Sequence, residues 1–354
     1  MNDGATRVRD EDSFDVPAVA EWLRGHAAEA WRGRLDGTPG VRQFPGGASN
    51  LTYRLHWPGA TLILRRPPAG VKARGAHDMG REHRIQAALG PVFPLVPEMV
   101  AHCDDESVIG SPFYVMTQVE GTIPRRELGV ELDRAGTSTL CGNFWDVLVQ
   151  LHSVDLDAAG LRDLGKGEGY VARQVSGWTT RLDNARTDDM GDWSDITGWL
   201  DAEQPADVAS CLIHNDFRLD NAVLSPADPL RVAAVLDWEM ATVGDPLMDL
   251  GGALSYWVQA DDDEFFLQFR RQPSTAPGMW TRAQVVDYYA ERTGLSVTPD
   301  QWRFYEAFGL FRLAVIAQQI WYRYHHRQTT NEAYAVFGPA VGHLEQRCRE
   351  VVGR

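Results

Sequence analysis

The sequence is poor in lysine and cysteine and has no long apolar run. Its 354 residues include only two lysines, Lys72 and Lys166, so arginine supplies most of the positive charge. The four cysteines are widely spaced, without a C-x-x-C pair, which favours reduced thiols over a zinc site or a disulfide framework. No uncharged apolar stretch approaches the roughly 20 residues of a membrane span, and the polar start at 1–12 is unlike a signal peptide. We therefore expect a cytoplasmic protein with no membrane partner.

Basic surface is scarce too, because the formal net charge is −15. Binding to nucleic acid depends on a basic stripe that neutralises phosphates, so a nucleic-acid partner is not expected. The hydrophobic and charged fractions, 44% and 23%, are those of a globular protein. A chain of this length can form two domains. An acidic field can favour cationic substrates, but acidity is also a common way to stay soluble. The composition leaves the oligomeric state open.

The pattern of the first 120 residues predicts a small, mostly antiparallel sheet with accompanying helices. The predicted strands are 41–44, 51–57, 61–65 and 112–119, and the predicted helices are 16–35 and 81–89. A glycine-rich turn at 45–50 and a tight turn at Pro58–Gly59 separate the first three strands.

After Gly121 the pattern becomes largely helical. The predicted helices are 140–151, 170–182 and 302–324, and two short apolar strands are predicted at 212–213 and 231–236. The fold class is therefore α+β with two lobes. The N-terminal lobe covers 1–120, with 1–12 as a tail, and the C-terminal lobe covers 121–354.

The clearest chemical motif is H-x-D-x-x-x-x-N, formed by His214, Asp216 and Asn221, with Asp237 further along the chain. Phosphoryl transfer requires a carboxylate at the acceptor hydroxyl and oxygen ligands for magnesium. Asp216 is the candidate catalytic residue, and Asn221 and Asp237 are the candidate metal ligands. A strand-turn-strand unit would return Asp237 to the same place. The alternative is that these side chains only cap polar turns, as Asp and Asn often do.

At these residues the chain resembles the aminoglycoside phosphotransferase and choline kinase superfamily, which has a protein-kinase-like fold. The resemblance rests on the segments 212–216, 237–239 and Gly244–Leu250, and it extends over about 40–325. It implies ATP and Mg²⁺ as cofactors. It also implies that Asp249 braces the catalytic loop, with His214 as a scaffold residue.

The turn between the first two strands is the expected phosphate-covering loop. Glycines there permit close backbone approach, and polar side chains can donate to phosphate oxygens. Its candidate nucleotide-binding residues are Gly46, Gly47, Ser49 and Asn50. Such a turn is also common in a plain hairpin.

Arginine stands where this superfamily usually has a phosphate-binding lysine. Alternation along the third strand puts Ile63 and Arg65 on one face, so Arg65 is a better candidate than Lys72. Arginine can clamp a phosphate bidentately, although it is not equivalent to lysine. Glu82 on the following helix is its predicted ion-pair partner; the alternative for Glu82 is a solvated charge.

The segment around Gln118 and Val119 resembles the hinge strand whose backbone contacts adenine. A strand ending at glycine is the simpler interpretation, and both can hold. His152, at the end of a helix, is predicted to be structural.

Three segments of the sequence resemble the kinase-like domain found fused to acyl-CoA dehydrogenases. They are Phe44–Tyr53, Leu64–Pro68 and Phe311–Gln318. This implies a hydroxyacyl-CoA or hydroxy acid as the acceptor. The candidate acceptor-binding residues are Arg218, Glu239 and Arg312. Arg173 and Arg323 could also meet an anion, and any of these arginines fits a surface position as well.

Two other functions stay open. An aminoglycoside O-phosphotransferase would need an acidic acceptor pocket, and the chain is acidic, with a run at 261–264. A pseudokinase that binds nucleotide and regulates a partner is favoured by Arg65 in the lysine position. The intact set of Asp216, Asn221 and Asp237 favours an enzyme.

Overall fold

The computed structural model describes residues 4–45, 50–68 and 78–353. The chain divides into two compact units. The first unit consists of Met1–Gly121 together with Ala233–Glu239, and the second of Thr122–Val232 together with Met240–Arg354.

The first unit is built on an antiparallel sheet of five strands in the order β1-β2-β3-β5-β4. The strands are β1 Gly40–Gln43, β2 Leu51–Trp57, β3 Ala60–Arg66, β4 Met99–Cys103 and β5 Phe113–Thr117. Its helices are α1 Val16–His26, α2 Glu29–Arg32 and α3 Met79–Leu89. The predicted antiparallel sheet is confirmed, and β4 is a strand that the sequence pattern did not predict.

Strand β3 separates the face that packs on the main core of the unit from the face that carries candidate site residues. Leu62 and Leu64 are buried in the main core of the unit. Ile63 points to the opposite side, where it packs in a smaller cluster with Met79 of α3. Arg65 shares the face of Ile63, as strand alternation predicts. The helix α3 therefore lies on the face of the sheet from which Arg65 projects.

The single helix predicted over 16–35 is wrong, because the chain breaks it into α1, which ends at His26, and the short α2, Glu29–Arg32. The chain leaves the helical conformation at Ala27, whose ψ is 153°. The next backbone N–H, that of Ala28, donates to the carbonyl of Val100 in β4 at 3.0 Å. A hydrogen bond to the sheet edge thus replaces the helical bond, which a local periodicity cannot reveal.

The segment Ala233–Glu239 belongs to the first unit, although sequence analysis assigned it to the C-terminal lobe. The N–H of Val235 donates to the carbonyl of Leu95 at 2.7 Å. The buried ring of Trp238 packs edge-on against Phe93, with the ring centroids 6.1 Å apart. These contacts bring Asp237 into the first unit.

The second unit is mainly helical. Its helices are α4 Arg134–His152, α5 Tyr170–Asn184, α6 Ser194–Ala202, α7 Pro246–Leu254, α8 Glu264–Phe269, α9 Arg282–Thr293, α10 Pro299–His325 and α11 Phe337–Val352. The remaining strands of the chain are β6 Cys211–Ile213, β7 Ala222–Leu224, β8 Val232–Val235 and β9 Thr242–Gly244. Among the described residues, none of these helices has the length and apolarity to cross a bilayer.

A short antiparallel pair positions the H-x-D-x-x-x-x-N motif in this unit. Strand β6 pairs with β9, and Cys211 lies opposite Gly244. The residue after β9, Asp245, caps α7 by accepting the N–H groups of Leu247 and Met248. The loop that follows β6 is thereby placed beside the first turn of α7.

Helix α7 packs closely on α10 at a glycine pair. A Cβ on Gly309 would lie 2.3 Å from the carbonyl oxygen of Gly251, so only glycine fits there. This close crossing fixes α7, and with it Asp249, in the core of the unit.

Candidate active site

The loop after β6 is held by the buried carboxylate of Asp249. The N–H of His214 donates to its Oδ2 at 2.7 Å, and the N–H of Asn215 donates to its Oδ1 at 2.7 Å. The His152 ring places Nε2 3.1 Å from Oδ2. Burial raises the pKa of Asp249, but the hydrogen bonds and the two histidines outweigh it and hold the pKa below its usual range. The contact predicted between Asp249 and the catalytic loop is present in this geometry.

Asn215 adopts a left-handed backbone conformation, with φ 64°. This conformation costs energy for a residue other than glycine and persists only where the surroundings enforce it. Its side chain accepts from the Tyr170 hydroxyl at 3.2 Å and donates to the carbonyl of Met240 at 3.1 Å. Its carbonyl accepts from Nη2 of Arg312 at 2.8 Å. Sequence analysis did not single out Asn215 or Tyr170, and no local pattern marks either of them.

Arg312 is therefore a buried neighbour of the loop. It is only 9% exposed, and its guanidinium lies 5.4 Å from the ring centroid of Trp178. The prediction placed Arg312 at the acceptor, whereas the structure gives its guanidinium a partner in the loop backbone. A positioning role fits this geometry better than direct binding.

Asp216 and Asn221 face each other across the loop. Nδ2 of Asn221 donates to Oδ2 of Asp216 at 2.8 Å and to its carbonyl at 2.9 Å. The N–H of Asp216 donates to Nδ1 of His214 at 3.3 Å, which makes that nitrogen an acceptor and puts the proton of a neutral ring on Nε2. His214 is fully buried. The Asp216 side chain is 23% exposed, with Nε of Arg218 3.4 Å from its Oδ1.

A second group of polar side chains lies in the first unit around Arg65. Its Nη1 is 3.3 Å from Oε2 of Glu82, and its Nη2 donates to Oδ1 of Asp237 at 2.9 Å. The predicted pair of Arg65 with Glu82 is present, and the contact with Asp237 was not foreseen. Burial lowers the pKa of Arg65, but Tyr114, Glu82 and Asp237 together raise it well above the usual value.

Glu82 is 1% exposed and accepts two further hydrogen bonds. These come from the Tyr114 hydroxyl at 2.8 Å and from Nδ2 of Asn50 at 2.8 Å. Burial raises the pKa of Glu82, and the attraction of Arg65 does not fully offset it, since Arg65 is shared with Asp237. Glu82 and Asp237 thus compete for one cation.

Asp237 itself has an enforced backbone. Its φ is 68°, in the left-handed region, and its side chain is 35% exposed. Beside it, Nδ2 of Asn50 also lies 3.2 Å from Oε2 of Glu239, and the carbonyl of Glu239 accepts from Nη1 of Arg81 at 3.1 Å. Asn50 therefore links the end of the β1–β2 turn to two carboxylates.

The two hinge candidates, Gln118 and Val119, follow directly after β5. The N–H of Gln118 reaches the carbonyl of Thr61 at 3.5 Å, which is a weak bond. Within 4–45, 50–68 and 78–353, the N–H and carbonyl of Val119 have no hydrogen-bond partner. Gly46, Gly47 and Ser49 of the predicted phosphate loop lie outside the described residues, as does Lys72.

Oxygen donors of the type that magnesium prefers are present in both units. Oδ1 of Asn221 and Oδ2 of Asp237 accept no hydrogen bond from any residue that the structure describes. An amide oxygen and a carboxylate oxygen are hard ligands, and magnesium commonly takes few protein ligands besides phosphate and water. Each unit thus offers an oxygen donor of the type that suits magnesium.

Comparison with known proteins gives a consistent result. The model of the phosphotransferase enzyme family matches residues 40–286. Acyl-CoA dehydrogenase family member 11 from Gallus gallus is 33% identical over 99% of this chain and 45% of its own length. The chain thus spans less than half the length of that curated relative.

Two solved structures show the likeness in three dimensions. The crystal structure of a candidate aminoglycoside phosphotransferase from Ralstonia eutropha JMP134 is 30% identical, with a TM-score of 0.80 over 96% of this chain and 98% of the other. The structure of APH(2")-IIIa with GDP and kanamycin is 14% identical, with a TM-score of 0.58 over 88% and 95% of the two chains, and shows the fold alone. These findings confirm the predicted family, the acyl-CoA dehydrogenase-associated subgroup and the two-lobed, protein-kinase-like α+β fold.

Proposed function

Because this chain belongs to the phosphotransferase enzyme family, we propose that it is a kinase that phosphorylates a hydroxyl group of a small molecule with ATP and Mg²⁺. The observation that carries the proposal is the loop from His214 to Asn221. It presents a partly exposed carboxylate, Asp216, on a strained backbone that a buried carboxylate, Asp249, holds in place. Such enforced strain around an exposed acid is typical of catalytic loops.

In the proposed reaction Asp216 orients the acceptor hydroxyl and takes its proton. The acceptor oxygen forms a bond to the γ-phosphorus of ATP, and the bond from that phosphorus to the β–γ bridging oxygen breaks, which releases ADP. Asn221 donates to Asp216 and so keeps the carboxylate in one orientation. Asn221 and Asp237 are the proposed ligands of Mg²⁺, which when bound neutralises charge on the phosphates.

We assign nucleotide binding to the N-terminal lobe, 1–120 together with Ala233–Glu239, and catalysis and acceptor binding to the rest of the C-terminal lobe, 121–354. Arg65, positioned by Glu82, is the proposed phosphate-binding cation. The backbone at Gln118 and Val119 is the proposed adenine contact, supported by the polar groups of Val119 that are unpaired within the described residues.

The proposed acceptor is a hydroxyacyl-CoA or a hydroxy acid. The support is the relation to a region of acyl-CoA dehydrogenase family member 11, a protein named for acyl-CoA chemistry. A second support is Arg218, whose Nε lies 3.4 Å from Oδ1 of Asp216. An arginine next to the catalytic carboxylate favours an anionic acceptor over the polyamine of an aminoglycoside.

The test is a substrate panel at fixed ATP and magnesium, scored by acceptor-dependent ADP release. The panel contains hydroxyacyl-CoA thioesters, the free hydroxy acids and kanamycin. Asp216→Asn is expected to lower turnover by about 10²–10⁴-fold, the usual contribution of a general base, while ATP binding persists. Asp201→Asn, at an exposed position of the same unit, is the matched control.

Three outcomes would contradict the proposal. Full turnover of Asp216→Asn would show that Asp216 has another role. Efficient turnover of kanamycin alone would overturn the acceptor class. Nucleotide binding with no turnover of any acceptor would favour the pseudokinase.

A further inference from the structure

Tyr256, just beyond the end of α7, lies beside the catalytic loop without an assigned role. The guanidinium of Arg218 lies over its ring, with Cζ 4.7 Å from the ring centroid. Its hydroxyl makes no hydrogen bond with any residue in 4–45, 50–68 or 78–353. The Arg218 guanidinium therefore covers one face of the Tyr256 ring, and the hydroxyl has no partner within the described residues.

The buried Gln272 ties this tyrosine to the catalytic loop. Nε2 of Gln272 donates to the carbonyl of Tyr256 at 3.2 Å, and its Oε1 accepts from the N–H of Leu219 at 2.8 Å. One amide thus bonds to both backbones. Tyr256 is consequently held relative to the loop that carries Asp216.

Arginines are concentrated around the same loop. The arginine cluster consists of Arg125, Arg126, Arg218, Arg270 and Arg271. Nη1 of Arg125 lies 3.4 Å from the carbonyl of Asp220. Nη1 of Arg270 donates to the carbonyl of Arg126 and, at 3.0 Å, to that of Gln272.

The charges in this cluster are only partly balanced. Among the described residues, the carboxylates that pair with it are Asp216, Asp220 and Glu127. Arg125, Arg126 and Arg271 are exposed and form no ion pair with a described carboxylate. In a chain with a net charge of −15, this is a locally basic surface next to an acid, Asp216. A Debye length of about 8 Å at physiological salt lets these near arginines outweigh distant acids.

We propose that Tyr256 and the arginine cluster form an anion-binding subsite beside Asp216, which takes a carboxylate or phosphate group of the acceptor. The proposal rests on the kinase function proposed above and names the acceptor chemistry that its second unit recognises. Guanidinium groups bind carboxylates and phosphates bidentately, and a phenolic hydroxyl adds a directed donor.

The protonation state of Tyr256 suits this role. Burial and the charge of Asp216 raise the pKa of Tyr256, and the three arginines Arg312, Arg218 and Arg271 reduce the shift without reversing it. The hydroxyl is therefore a protonated donor at neutral pH. A protonated phenol can donate a hydrogen bond to an anion, whereas a phenolate could only accept one.

The experiment compares Arg271→Gln and Tyr256→Phe with the unmodified protein. Arg271 is exposed, and Tyr256→Phe removes only the unpaired hydroxyl while the ring under Arg218 remains. The matched controls are Arg186→Gln, an exposed arginine elsewhere in the unit, and Tyr322→Phe, whose hydroxyl also bonds to no described residue.

Two readouts are needed. The first is kcat and KM for a hydroxy acid and for its CoA thioester at saturating Mg-ATP. The second is the Kd of the same hydroxy acid and of CoA itself, measured by calorimetry without turnover. Arg271→Gln is expected to raise KM and Kd about tenfold, the loss of one charge-assisted hydrogen bond. Tyr256→Phe is expected to raise them several-fold, with kcat and the KM for ATP little changed in both variants.

The ligand arms identify the source of the anion. Weakening confined to CoA and its thioester assigns the subsite to the phosphates of CoA. Weakening confined to the free acid assigns it to the carboxylate. Unchanged KM and Kd for every ligand, or equal losses in the controls, would overturn the subsite. If no acceptor is phosphorylated, the kinase function fails, and the Kd values still decide whether the subsite exists.

Discussion

Two buried carboxylates, Asp249 in the second unit and Glu82 in the first, have pKa values shifted in opposite directions. Each is 1% exposed, so burial alone raises both pKa values. Asp249 accepts two backbone N–H groups and contacts His152, and its pKa is lowered overall. Within the described part of the chain, Glu82 forms an ion pair with Arg65, which also pairs with Asp237, and the pKa of Glu82 is raised overall.

The difference indicates that Asp249 is a brace, which holds the loop in place, and that Glu82 belongs to a responsive site, whose contacts can change when a ligand binds. The donors of Asp249 belong to the loop itself, so its charge is compensated whether or not a ligand is bound. The Arg65 guanidinium serves both Glu82 and Asp237, and a magnesium ion or a phosphate would redistribute these contacts. We therefore expect changes at Asp249 to reduce stability first, and changes around Arg65 to reduce nucleotide binding first.

Asp249→Asn should have the largest effect on stability. The amide has one acceptor oxygen for the two N–H groups of His214 and Asn215, and its NH₂ faces a backbone donor. Breaking a buried charged network of this kind costs about 3–5 kcal/mol. The free energy of unfolding in urea measures the loss, with the exposed Asp183→Asn as the control.

The pH dependence of the free energy of unfolding tests whether the pKa of Asp249 is depressed. Because the folded pKa of Asp249 is depressed, its stabilising contribution is fully present above the unfolded value, about 3.9, and is lost as pH falls through the folded pKa. Below about pH 4, the free energy of unfolding of Asp249→Asn should therefore fall less steeply with pH than that of the unmodified protein. If the free energy of unfolding of the variant fell with decreasing pH as steeply as that of the unmodified protein, the pKa of Asp249 would not be depressed.

Much of the first unit and the catalytic motif could be predicted from the sequence, because local patterns encode them. Alternation identified β2 and β3 and put Arg65 on the face of Ile63. The spacing of His214, Asp216 and Asn221 identified a loop in which these residues do meet. The N–H of Asp216 donates to the His214 ring, and Asn221 donates to the Asp216 carboxylate.

Other features depend on contacts between distant parts of the chain, which no local pattern contains. The contact of Arg65 with Asp237 joins residues 172 positions apart. The end of α1 at Ala27 depends on a carbonyl of β4, and the left-handed backbone of Asn215 depends on Tyr170, Met240 and Arg312. Asp237 was predicted from its spacing, but its place in the first unit, where the neighbouring Trp238 packs on Phe93, was not.

Arg65→Ala should weaken ATP binding with a smaller effect on folding. Loss of a bidentate phosphate contact is expected to raise the KM for ATP about ten- to a hundredfold. Lys72→Ala, at the lysine nearest in sequence, is the control and should change this KM little. ATP titrations that rank the two variants in the reverse order would mean that lysine is the phosphate-binding cation.

Glu82→Gln tests whether the shared cation is the responsive element. The amide oxygen keeps an acceptor for Nδ2 of Asn50, and the Tyr114 hydroxyl can turn to accept from the new NH₂. The change removes a carboxylate whose raised pKa shows that its charge is poorly compensated. We expect a several-fold rise in the KM for ATP because Arg65 loses its anchor, and a stability change below about 1.5 kcal/mol. A loss in urea unfolding as large as that of Asp249→Asn would remove the distinction between the two carboxylates.

Tyr289→Phe should have the smallest effect, because it acts on the brace through one further contact. The Tyr289 hydroxyl lies 2.6 Å from Nδ1 of His152, whose Nε2 in turn contacts Asp249. Removing the hydroxyl leaves the ring packing and costs about 1 kcal/mol for one hydrogen bond. If the brace is structural, thermal unfolding should shift while the KM for ATP stays constant. A change in the KM for ATP without a change in stability would instead couple this histidine to the nucleotide, and the brace would then be part of the responsive network.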